Sequence, residues 1–192
     1  LTSGLSSILR LPNGKTVRKN LQPSPVKLLK FYNLENDAEC RLVRECITEL
    51  DLVVEEVVTS DEVPTLVLEG INGKQETIES ATAIICRLEE LFTLPLPPTD
   101  PQEDESFLAM FRSYTPPSWT SYLSSFLRSN RGNFVFAGAL STNPSLPAPL
   151  ILYNYENNQF CRFVREVLTE LGLPHTVRSV GVGSPRRDEL AA

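Results

Sequence analysis

YNLENDAECRLVRECITEL at 32–50 and YNYENNQFCRFVREVLTEL at 153–171 align without a gap and share Tyr, Asn, Glu, Asn, Cys, Arg, Val, Arg, Glu, Thr, Glu and Leu at matching places. Two copies of so long a pattern read as a duplication. The match extends upstream: LSSILR at 5–10 recurs as LSSFLR at 123–128, and Gly14 matches Gly132 at the same offset of 118. The offset becomes 121 at the Cys, so three extra residues fall in the Pro-rich stretch around 144–149. Repeat one therefore spans about 4–92 and repeat two runs from about 122 onward.

Each copy opens on a strand-like apolar run, 26–32 and 150–155, followed by a polar turn and then helical spacing. Leu42, Val43, Cys46, Ile47 and Leu50 fall on one face of the first helix, and Phe163, Val164, Val167, Leu168 and Leu171 on one face of the second. Asn36 with Glu39 three residues on reads as a capping box. Second strands are predicted over 52–58 and 175–180. In the first copy Val63-Pro64, TLVL, the Asn72-Gly73 turn signal and QETI predict a hairpin, and Glu79-Ser80 starts a helix over 81–92. A β-α-β unit followed by β-β-α predicts an α/β sandwich of the thioredoxin type.

The segments on either side follow from composition. Six prolines between Pro95 and Pro117 mark a connector, within which Asp100-Pro101 and the acids after it start one helix. A second amphipathic helix from Ser118 places Trp119, Tyr122, Leu123, Phe126 and Leu127 on one stripe. The chain divides into a basic lead-in (1–25), a first thioredoxin-like domain (26–92), the connector (93–146) and a second, partial β-α-β domain (147–192). By the offset of 121, Ala192 matches Ile71, so the second copy is expected to continue into a further hairpin and helix. The lack of an initiator Met fits a targeting segment upstream.

Charge and cysteine usage narrow the function classes. A net charge of −6 and a pI near 4.9 oppose general nucleic-acid binding, which needs clustered cations against phosphate. No apolar run approaches the roughly 18 residues of a membrane span, so any membrane contact is expected to be peripheral. Four cysteines without close pairing and a single histidine speak for a reducing compartment and against a zinc site. Residues 35–62 hold ten acids against Arg41 and Arg44, whereas 156–183 hold three acids and three bases. An anionic ligand would meet repulsion at the first copy.

The SSxLR lead-in, the CRxVRExxxEL helix in both copies, the Val-Pro turn, the Glu-Ser pair and the GxGSPRR run at 181–187 resemble the tandem glutathione-S-transferase-N-terminal-like, glutaredoxin-related proteins of plant and algal plastids. That resemblance implies two thioredoxin-type domains, with a Cys-Pro-aromatic-Cys or Ser-Pro-Phe-Cys turn at the first helix start. There the first Cys is a thiolate whose pKa is lowered by the helix N-terminus. At that place this chain has Asp37-Ala38-Glu39-Cys40 and Asn158-Gln159-Phe160-Cys161. The nucleophile and the proline are missing from both, and Asp37 and Asn158 are helix-cap residues.

The other candidate residues carry alternatives. The fold type implies a cis peptide at Val63-Pro64, whose backbone could hold glutathione; the proline could equally just start a strand. Glu79 and Ser80 would take the γ-glutamyl end, or Ser80 is simply a helix cap. Cys40 and Cys161 read as buried structural thiols, Cys86 as helix core, and His175 as a plain strand residue. Tyr32 and Tyr153 end the first strands, near where some transferases keep a catalytic tyrosine, but their repetition suits a role in the fold. Trp119, Tyr122 and Phe126 with Phe134 and Phe136 form a candidate interface, rimmed by Arg128 and Arg131. The expectation is thus a redox-inactive scaffold without resident cofactor or metal, bound to protein partners in a plastid assembly, with a peripheral place on a photosynthetic membrane complex as one form of it. Its rival is a glutathione-dependent transferase, thiol reductase or glutathione-binding module.

Overall fold

The described strands and helices form where the periodicities place them, except for a short helix over 186–191 that the sequence reading did not expect; the two expected connector helices lie outside the described residues. The computed structural model describes residues 14–94, 131–136 and 148–191. In chain order these hold β1 (Lys27–Asn33), α1 (Ala38–Glu49), β2 (Val53–Thr59), β3 (Thr65–Glu69), β4 (Gln75–Glu79), α2 (Ala81–Phe92), β5 (Leu150–Asn154), α3 (Gln159–Glu170), β6 (His175–Ser179) and a short α4 (Arg186–Ala191). The strands make one mixed six-stranded sheet in the order β4-β3-β1-β2-β6-β5. With four helices this is an α/β architecture compatible with a thioredoxin-like fold. No helix among the described residues is long and apolar enough to cross a membrane.

β1 and β2 run parallel, joined through α1, and β5 and β6 run parallel, joined through α3. These are the two β-α-β units that carry the repeated sequence pattern. They meet through β2 and β6, which pair antiparallel, Val54 opposite Val177 and Val57 opposite His175. One sheet therefore runs through both units. β3 pairs antiparallel with β1, and β4 with β3. Their connection, residues 70–74, is closed by the Gly70 N–H donating to Lys74 O at 3.0 Å and the Gly73 N–H to Gly70 O at 3.0 Å. Gly73 sits there at φ +67°, a conformation only glycine takes freely.

The core lies in the first unit, where Leu28, Phe31, Val54, Val57, Leu66 and Leu68 from the sheet pack against Val43, Cys46, Ile47 and Leu50 of α1 and Ile84, Ile85 and Leu88 of α2. Several expectations need correction. α1 is capped by Asp37, whose Oδ1 accepts from the Cys40 N–H at 2.7 Å, and not by an Asn36–Glu39 box. Asn36 is buried and donates its N–H to Gly132 O at 3.4 Å, so it is held by chain from the other unit. Cys86 is exposed, and Cys161 is only half-buried.

The largest correction concerns α3. The face expected to be its core is turned outward: Phe163, Val164, Val167 and Leu171 are exposed, whereas Arg162, Arg165, Glu166, Thr169 and Glu170 are buried. The periodicity was the same as in α1, but there α2 covers the apolar face. Among the described residues nothing equivalent covers α3.

Candidate functional site

Three places gather the residues with chemical potential: the helix-start turns, the seam between the two units, and the outward faces. At the first turn, the register Tyr32↔Thr65↔Glu79 brings Val63-Pro64 and Glu79-Ser80 to the sheet end from which residues 34–37 lead into α1. The Val63-Pro64 peptide is cis. Ser80 adopts φ +71° and caps α2 through its side chain, which faces the Ala83 N–H at 3.5 Å. Glu79 and Ser80 are exposed.

The thiol at this turn is not available to that end. Cys40 is 0% exposed, and burial, reinforced by the Asp37 charge, holds its pKa far above the ordinary value although Arg44 acts the other way. The Asp37 carboxylate already occupies the N-terminal backbone of α1, where the helix dipole would otherwise stabilise a thiolate. At the second turn Asn158 Oδ1 accepts from the Phe160 N–H at 2.8 Å and the Cys161 N–H at 3.2 Å. Both turns are therefore capped by a side chain, Asp37 in the first and Asn158 in the second.

The seam holds what the sequence reading missed. Arg44 of α1 donates through Nε to Glu156 Oε2 at 3.0 Å, in the other unit, and through Nη2 to its own Glu35 carbonyl at 2.8 Å. Arg165 of α3, 121 positions on, donates through Nε and Nη2 to Glu35 Oε2 and Oε1 at 2.9 and 3.0 Å. Each arginine also reaches the asparagine ending its own first strand, Arg44 to Asn33 and Arg165 to Asn154. Arg165 further pairs with Glu156 at 2.9 Å. Each unit thus lends its Glu to the other's Arg, and all four side chains are buried. The paired charges set their protonation. Burial would raise the Glu156 carboxyl, but Arg165 and Arg44 overcome it and hold it well below the usual range. Burial would lower both guanidiniums, and the two glutamates raise them instead. Arg41 moves the other way: burial, then the nearby Arg162 and Arg44 charges, lower it to about 10 against the pull of Glu156 and Glu35.

The lead-in glycines complete the exchange. The Gly14 N–H donates to Glu49 at 3.0 Å while Gly14 O accepts from Asn157, and the Gly132 N–H donates to Glu170 at 3.2 Å while Gly132 O accepts from Asn36. A Cβ on Gly14 (φ +66°) would stand 2.9 Å from Glu156 Cβ, and one on Gly132 (φ +75°) 2.9 Å from Glu35 Cβ. Beside the exchange lies a cavity of about 20 Å³ bordered by Arg44, Arg165, Thr48, Thr169 and His175. It suffices for roughly one water molecule. His175 is buried there, its Nδ1 3.1 Å from Leu173 O, and burial lowers its pKa.

The acids of 35–62 are accordingly not one solvated face. Glu35 and Glu45 are buried, Glu49 pairs with Arg18, Glu56 with Lys30 and Asp51 with Arg186. Tyr153 takes a hydrogen bond from Arg178 at 2.9 Å, and Lys30 stands over the Tyr32 ring. Phe134 and Phe136 are exposed, and the Phe136 N–H donates to Glu170 O at 2.8 Å. Trp119, Tyr122 and Phe126 lie outside the described residues. The signal for the seam was present: Glu, Arg, Arg, Glu and Thr recur in both copies on the helix side away from the apolar stripe, where free surface would not need to repeat itself. Comparison with protein-family models, curated proteins and solved structures finds no significant match to the chain.

Proposed function

We propose that this chain is a pair of thioredoxin-type units, fused through their charged helix faces, that serves as a binding scaffold and not as a thiol–disulfide catalyst. The observation that carries the reading is the Asp37 cap over a fully buried, neutral Cys40. Dithiol chemistry needs an accessible thiolate at that helix start. The reciprocal Arg–Glu exchange supports the scaffold: it holds the two units in one fixed relation. The family resemblance is what supports a plastid setting and a larger assembly, such as a photosynthetic membrane complex, as its place of work. In a mixed-disulfide reduction assay with glutathione as reductant, the purified chain should show no turnover above buffer. Turnover that disappears in Cys40→Ser or Cys161→Ser would overturn the reading.

A second reading is a glutathione-binding module without turnover. Val63-Pro64 and the exposed Ser80 at the start of α2 share one sheet end, which favours it. Calorimetric titration with glutathione tests it: binding weakened by Ser80→Ala supports a module, and no heat at millimolar ligand removes it.

A further inference from the structure

We infer that His175 makes the joint between the two units pH-sensitive: protonation of its ring loosens the β2–β6 pairing while the first unit stays folded. The inference goes beyond the scaffold reading and stands without it. The duplication marks the position. The pairing of β2 with β6 sets Val53 opposite Arg178 and Val54 opposite Val177, which centres it on Glu55 and Thr176. Those two are equivalent residues, 121 positions apart, and the Thr176 hydroxyl donates to Glu55 O at 2.8 Å. The joint is therefore two-fold in its register. Within it His175 lies opposite Val57, and its own equivalent at the offset of 121 is Val54, a core residue 1% exposed. A titratable ring thus stands in the central strand pair where the other copy keeps an aliphatic side chain.

The surroundings suit the neutral ring. The small cavity it borders is lined by the guanidiniums of Arg44 from α1 and Arg165 from α3, and by no carboxylate. Room for roughly one water molecule does not hydrate a charge. Nδ1 lies 3.1 Å from Leu173 O, and with a proton there the ring is satisfied; charging it turns Nε2 into a second donor. The Asn33 and Asn154 oxygens on the same cavity already accept from Arg44 and Arg165. Glu35 favours the charged ring, but both its oxygens are held by Arg165, which acts against that charge. Glu156 is likewise held, by Arg44 and Arg165. Glu55 and Glu56 of β2 and Lys30 of β1 border a wider pocket with His175; there Glu56 pairs with Lys30 at 2.7 Å and Glu55 is exposed. Leu150, its neighbour on β5, carries no charge, and Arg178 of β6 bonds to Tyr153. Burial and Arg165 thus oppose the imidazolium. A third cation beside two guanidiniums is relieved when β6 parts from β2 and water enters.

The test uses the full chain. It holds one histidine, so the ring-proton signal in an NMR titration reports His175 alone. The ring should titrate below the ordinary 6.5. With the same midpoint, hydrogen-exchange protection of the β2–β6 amides, corrected for intrinsic rate, should fall about fivefold or more between pH 7 and pH 5. Ser179, whose N–H donates to Leu52 O at 3.2 Å, belongs to that set. The amides of Leu66 and Leu68, in the β3–β4 hairpin, should keep their protection. His175→Val, which places the side chain of the equivalent position there, should abolish the pH-dependent loss at the joint. A ring titrating at 6.5 or above overturns the inference, as does joint protection indifferent to pH or an equal loss in His175→Val. Equal loss at β3–β4 also overturns it, since the whole chain would then be unfolding. If His175→Val does not fold, the native chain decides: one midpoint shared by ring and joint supports the inference, and separate midpoints overturn it.

Discussion

Replacing Arg165 with Met tests the seam at its centre. The guanidinium makes a two-pronged contact to Glu35 at 2.9 and 3.0 Å, a further pair with Glu156 at 2.9 Å and a hydrogen bond to Asn154 at 3.2 Å. Met keeps most of the volume and removes all of these. Among the ion pairs of the described residues Glu35, 2% exposed, then keeps Arg44 Nη2 at 3.6 Å, an atom already committed to the Glu35 carbonyl. Stranding one charge of a buried pair costs about 3–5 kcal/mol, a large share of a typical domain's stability of roughly 5–15 kcal/mol. Removing both charges is different, because Glu35→Leu with Arg165→Met leaves Arg44 and Glu156 as a balanced pair. The double variant should recover more than half of the loss, giving a coupling of about 2 kcal/mol or more. Urea unfolding at pH 7, read as a shift in midpoint at constant slope, measures all four corners of the cycle. If Arg165→Met costs less than about 1 kcal/mol, the range of a solvent-exposed pair, the seam is not what holds the units together.

Other expectations follow from the same contacts. Gly132→Ala and Gly14→Ala should each destabilise by roughly 2 kcal/mol or more, combining left-handed strain with a clash against the opposite unit's glutamate, while Gly73→Ala, with nothing within 4 Å of its Cβ, should cost only the conformational ~1 kcal/mol; chemical denaturation ranks the three. Stability should fall on acidification in two windows. The unfolded chain protonates His175 near its ordinary 6.5 and the folded chain only at lower pH, so the contribution of the neutral ring is full above 6.5 and lost as pH drops through the depressed folded value. Glu156, also depressed, contributes fully above its ordinary 4.5 and loses that contribution as pH falls further, toward about 2. His175→Gln should flatten the upper window in a series of melts and leave the lower one.

Which elements form, and their order, was legible because each rests on local periodicity: the alternation around 65–69, the Asn72-Gly73 turn and the Ser80 cap carry their own signals. What lies against each helix was not. The apolar stripes of α1 and α3 match position for position, yet one is core and the other surface, since burial depends on whether a covering helix is present and not on the stripe itself. The seam was hidden for a related reason. Arg44 finds its glutamate 112 positions away and Arg165 finds its own 130 away, and a charged helix side read alone is a solvated face. Only the repetition of Glu35 and Arg44 as Glu156 and Arg165 pointed inward. The turns were legible in composition, and the structure adds that Asp37 and Asn158 are engaged as caps.

Cysteine-resolved alkylation of the native chain at pH 7, mapped by mass spectrometry over time, tests most directly whether the helix-start turn is chemically silent. Cys86, exposed, should label first and Cys161, half-buried, more slowly, with Cys40 and Cys46 protected until denaturant is added. Labelling of Cys40 in native protein as fast as Cys86 would mean an accessible thiolate at that turn, and would contradict the scaffold account.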